Sequence, residues 1–291
     1  MNKNMNILSF TSTHTLEYLN RMPSVLKWFG IKDINYKSSR YSRYMNYIND
    51  FMASGNKNFK SDAFLKANEA FQECIQIVDI FEAFKHETSD GFNERLEKVV
   101  KGQDFFDITS KNDSSRDFLY ELTVAVNLKN RGYKIDFNQN TDVIATKGND
   151  TFLIECKRLR SLNGLEENYK KAGKQLNEVT NTDNKYGLIF IDIYNCISKK
   201  ITLNGYKTEF EMNDAINALT NEFYKANIHK IEILNDRFRY NSLGVCFTAF
   251  KNLWLSNETP YYFKKINVKA SQYILDENYS KLEEVMSILK N

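Results

Sequence analysis

Apolar positions repeat at helical spacing through the first hundred residues, and short strand-like runs replace them after about residue 130. TLEYLNRMPSVLKWFG (15–30) reads as a helix with Pro23 dividing it. YSRYMNYINDFMAS (41–54) places Tyr41, Tyr44, Met45 and Ile48 on one stripe. SDAFLKANEAFQECIQIVDIFEAF (61–84) keeps the period throughout, with Ser61 or Asp62 as its N-cap. A short helix near 92–101 follows, and then KGQDFFDITSKNDSS (101–115), polar and irregular, reads as a linker. Beyond it, a helix over 114–133 is capped by Ser114 or Ser115 and stopped by Gly132. Strands are expected at 133–137, 142–146 and 151–157, the last two joined as a hairpin by the turn KGND (147–150). A helix over 165–180 leads to the continuous apolar strand YGLIFIDIY (186–194), typical of a sheet centre. A helix at 208–227, a strand at 242–249 and an amphipathic helix at 276–290 complete the chain. The pattern divides it into a helical N-terminal domain, 1–105, and a mixed α/β domain, 106–291.

Composition narrows the function. With 42% hydrophobic residues the chain can bury a core, yet no run is long and apolar enough to span a membrane. Met1-Asn2-Lys3-Asn4 lacks the apolar run of a signal peptide, so a cytoplasmic location with reduced thiols is expected. The four cysteines form no metal-ligand spacing, and three scattered histidines argue against a histidine zinc site. Residues 1–60 hold nine Lys/Arg and three Asp/Glu although the chain's net charge is only +3, an electropositive end compatible with a polyanionic partner. Within that end Arg40, Arg43 and Tyr47 share a helical face suited to nucleic acid; the alternative is that the arginines are solvated and the tyrosines are core.

The chemistry concentrates in FLIECKRLR (152–160). Strand alternation sends Leu153, Glu155 and Lys157 to one face and Phe152, Ile154 and Cys156 to the other. The hairpin brings Asp142 beside Glu155, and two adjacent carboxylates repel unless a cation or a shared proton intervenes. Oxygen ligands without histidine or cysteine favour Mg²⁺ or Mn²⁺. Glu121 sits in a helix apolar almost all round, with no Lys or Arg at i±3 or i±4. Its partner must come from elsewhere, either that metal or a distant arginine. On the helix after the strand, Lys171, Lys174 and Gln175 share a face, and with Lys170, Arg158 and Arg160 they would form a basic rim for phosphates.

The order of a helix with Glu121, a strand with Asp142, a strand ending Glu155-Cys156-Lys157 and a further helix resembles the PD-(D/E)xK nuclease superfamily, the restriction-endonuclease-like fold. The resemblance spans roughly 114–195 and departs at Thr141, where the motif's name has proline. It implies a mixed central sheet flanked by helices, here preceded by the helical N-terminal region. It also implies Mg²⁺-dependent (or Mn²⁺-dependent) hydrolysis of DNA, with RNA not excluded. Asp142 and Glu155 would hold the metal, aided by Glu121 and the Cys156 carbonyl. Lys157 would orient the attacking water and offset charge in the transition state, and Gln175 would approach the site. One such site cuts one strand, so double-strand cleavage calls for a homodimer or two binding events. Resemblance further implies bacterial restriction or anti-phage defence. The rivals are a nuclease-fold module that only binds nucleic acid and a subunit activated by a partner protein.

Overall fold

The computed structural model describes residues 4–12, 15–54, 58, 61–105, 113–137, 141–177, 184–201, 206–240, 242–254, 260–270, 279–283 and 285. In chain order they form β1 (Asn4–Ser12), α1 (Thr15–Ile31), α2 (Arg40–Ala53), α3 (Asp62–Phe84), α4 (Asp90–Val100) and α5 (Ser114–Lys129). There follow β2 (Lys134–Asp136), β3 (Val143–Lys147), β4 (Asp150–Arg158), α6 (Leu165–Asn177), β5 (Lys185–Asp192), α7 (Tyr194–Ile197), α8 (Glu209–Arg237), β6 (Gly244–Trp254) and β7 (Pro260–Ala270).

The strands make one mixed α/β sheet in the order β1-β7-β6-β5-β4-β3-β2. β2, β3 and β4 form an antiparallel meander; β4, β5 and β6 run parallel; β7 and β1 close the far edge antiparallel. At the β3–β4 turn Lys147 pairs with Asp150, and Gly148 has φ 59°. That left-handed conformation costs glycine little, so KGND specifies the hairpin.

Alternation along the strands feeds two cores. Val143, Phe152, Ile154, Cys156 and Phe190 face α1 to α5. Ile144, Leu153, Ile189, Ile191 and Phe247 face α6, α7 and α8. Each such buried side chain stabilises by about 1.5–3 kcal/mol relative to exposure. The first core takes residues from both sides of position 105, so the N-terminal helices cover one face of the sheet. On the other face Gly173 of α6 lets Phe238 approach: an added Cβ would stand 2.5 Å from its ring. Gly173→Ala is expected to cost about 1–3 kcal/mol by overpacking, which urea unfolding would measure; an unchanged midpoint would contradict this packing.

Several expectations are corrected. The first hundred residues are not wholly helical: β1 is a strand, paired with β7, which the local pattern also missed. α8 runs on to Arg237 because Ile231 and Leu234 continue its buried stripe. The N-cap of α5 is Asp113 rather than Ser114 or Ser115, whereas α3 is capped by Ser61 accepting from the Phe64 amide. Of the expected linker, 106–112 lies outside the described residues. Of the expected helix at 276–290, only 279–283 and 285 are described, and they are helical. Among the described residues, no helix is long and apolar enough to cross a membrane.

Candidate active site

Asp142 enters β3, and Glu155, Cys156 and Lys157 lie near the end of β4. Leu153 faces the α6 side of the sheet while Ile154 and Cys156 face α5, so Glu155 and Lys157 emerge toward α6. The Asp142 Oδ2 accepts the Cys156 amide at 2.7 Å and the Lys157 ammonium at 3.2 Å. The same ammonium donates to Glu155 Oε2 at 2.9 Å. Glu155 is fully buried, and its Oε1 has no hydrogen-bond partner among the described residues.

Burial, followed by the charge on Asp142, pushes the Glu155 carboxyl up to about 7, although Lys157 opposes the shift. Glu121, 7% exposed, is pushed up to about 8 by burial and then by Asp142. Burial disfavours the Lys157 ammonium, but Asp142 and Glu155 outweigh it and hold its pKa above the lysine range. Lys157 is therefore a fixed positive charge beside two carboxylates.

The expected third carboxylate is differently engaged. Glu121 Oε2 accepts Arg95 Nε at 3.0 Å, so the distant-arginine alternative is the one realised. Arg95 also donates to the Phe137 carbonyl at 3.0 Å, tying α4 to the segment that leads to Asp142. Among the described residues no group of three His, Cys, Asp or Glu side chains is placed to hold a metal ion. The donor set that is formed consists of Asp142 and Glu155. The unsatisfied Glu155 Oε1 fits a hard cation, since a buried carboxylate oxygen without a donor is costly. Thr141 is buried, and its Oγ1 has no hydrogen-bond partner among the described residues.

The basic rim is only partly formed. Lys171 and Lys174 are exposed on α6, and Lys170 pairs with Glu166 at 2.5 Å. Gln175 is half-buried, and its Oε1 lacks a partner among the described residues. Arg158 turns to the opposite face, held by Asp117 at 3.3 Å and Asp192 at 3.4 Å. Arg160 is half-buried and lies near enough to Asp117 to stabilise its charge. Arg40 cannot touch a nucleic acid: it is fully buried and paired with Glu73 at 2.9 Å. Arg43 is engaged by Asp104, with its Nε 2.8 Å from either carboxylate oxygen. The apolar stripe of α2 is buried as expected at Tyr41, Tyr44 and Ile48, but the core also takes in Arg40 from the neighbouring face.

Arg95 and Asp192 were missed. Arg95 sits in a short amphipathic helix that gives no hint of a long-range partner. Asp192 was findable, since it is a carboxylate that ends an apolar strand. No family model matches the chain, and a search of curated proteins returned no match.

Proposed function

We propose that the protein is a metal-dependent endonuclease that hydrolyses DNA phosphodiester bonds, with a restriction-endonuclease-like core. The observation that carries this reading is the meeting of Asp142, Glu155 and Lys157 near the end of β4, with one buried Glu155 oxygen unsatisfied among the described residues. The order α5-β2-β3-β4-α6-β5, an antiparallel meander followed by a helix and a parallel strand, supports the fold assignment. Residues 1–105 serve in this reading as the part for recognition, regulation or dimerisation.

Asp142 and Glu155 would hold Mg²⁺ or Mn²⁺, which supplies charge neutralisation at the phosphate and acidifies a bound water. Lys157 keeps its proton and donates hydrogen bonds where negative charge develops on the phosphoryl oxygens. The exposed Lys171 and Lys174 give α6 cationic reach toward the flanking phosphates. A second reading, a subunit activated by a partner protein, is favoured by the Arg95–Glu121 contact, which withholds the third carboxylate while α4 keeps its position.

A matched set of end-labelled duplex DNA, single-stranded DNA and RNA, incubated with Mg²⁺, tests the substrate class. Cleavage of DNA is expected. Cleavage of RNA alone would overturn the assignment to DNA.

A further inference from the structure

Arg95 of α4 is a second fixed cation beside the carboxylate site, after Lys157. Its Nε donates to Glu121 Oε2 at 3.0 Å, and its Nη1 donates to the carbonyls of Gly91 and Phe137, each at 3.0 Å. Its Nη2 lies 3.5 Å from the carbonyl of Thr141, the residue before Asp142, and the guanidinium carbon stands 5.6 Å from the centre of the Phe137 ring. Phe92, Leu96, Val99 and Val100 anchor α4 in the first core. A planar guanidinium with donors on four acceptors, carried by an anchored helix, is held in one place.

Glu121 is the carboxylate that Arg95 neutralises, and among the described residues Arg95 is its one ion-pair partner. The charges of Asp142 and Lys157 both act on Glu121, so it borders the same site. Three carboxylates therefore meet two fixed cations: Lys157 bridges Asp142 and Glu155, and Arg95 takes Glu121. With all three carboxylates ionised, the state that a metal selects, the cluster carries one net negative charge. One divalent cation turns that into one net positive charge. A second would leave three positive charges in a largely buried site, where repulsion and desolvation are both costly.

We propose that Arg95 withholds Glu121 from the metal, so that the site takes a single divalent cation on Asp142 and Glu155. This rests on the metal-site reading of those two carboxylates, and adds the number of ions and the residue that sets it. Arg95 is a positioning residue in this role, because it acts through Glu121 and touches neither metal nor substrate.

Isothermal titration of the full chain with Mn²⁺ is expected to give one ion per chain. Arg95→Met releases Glu121, and Mn²⁺ should then bind at least about tenfold more tightly. Arg95→Gln, which keeps an amide donor for the Phe137 carbonyl, should gain in the same direction. Arg95→Met combined with Glu121→Gln should return to within about threefold of the wild type, since the cation and its carboxylate are removed together. A gain separates this role from a merely structural one, because damage to the segment that leads to Asp142 would weaken Mn²⁺ binding.

Two Mn²⁺ ions per wild-type chain would overturn the inference whether or not the variants fold. So would Arg95 variants that bind Mn²⁺ no more tightly than the wild type, or a double variant as tight as Arg95→Met. A wild type that binds no Mn²⁺ at all would remove the metal-site reading itself, and the inference with it.

Discussion

Glu155→Gln and Lys157→Ala are each expected to lower the single-turnover rate of DNA cleavage by about 10²–10³-fold, roughly 2.7–4 kcal/mol of barrier. The two losses have different origins. Glutamine keeps the shape of Glu155 but removes the charge that would hold a divalent cation, so added Mn²⁺ should no longer raise the melting temperature. Fully buried and beside Asp142, Glu155 is a cost to the metal-free fold, and its neutral replacement should be as stable as the wild type or more so. Lys157→Ala leaves Mn²⁺ binding in place and removes the ammonium that bridges the two carboxylates at 2.9 and 3.2 Å. Its metal-free form should therefore be less stable, since Asp142 and Glu155 then repel without compensation. Calorimetry with and without Mn²⁺, beside the cleavage rates, separates the two. An intact Mn²⁺ shift in Glu155→Gln would remove that carboxylate from the metal site.

The largest stability effect is expected at Glu73. Its carboxylate, almost wholly buried, meets Arg40 at 2.9 Å and Arg116 at 2.8 Å, joining α2, α3 and α5. Glu73→Ala would leave two buried guanidinium groups without their shared counter-charge, at a cost of about 3–5 kcal/mol. Glu73→Gln should cost less, because the amide oxygen still accepts from one arginine. Chemical denaturation of both variants checks the order; equal midpoints for wild type and Glu73→Ala would mean that the triad contributes nothing net.

Arg40 also shows where reading the sequence fails. A helical period assigns an arginine to a face, but its depth depends on what packs over that face, here Glu73 from a helix 33 residues further along. β1 and β7 were hidden for a related reason: they pair from opposite ends of the chain, and no local pattern carries that information. The hairpin of β3 and β4 was legible because Gly148 and strict alternation are local signals. For the same reason Asp142, Glu155 and Lys157 were legible as a cluster, since a short turn and a two-residue spacing fix their meeting. Glu121 was half legible: its isolation in an apolar helix announced a distant partner, but the choice of Arg95 was made by the docking of α4.

The central claim is that Asp142, Glu155 and Lys157 form a phosphodiester-cleaving site, and the most direct test is the conversion of supercoiled plasmid by the full chain. Nicking that requires Mg²⁺ or Mn²⁺, stops with EDTA and disappears in both Glu155→Gln and Lys157→Ala is the predicted result. Nicking that persists in both variants, or no nicking by the wild type with either metal, would contradict it.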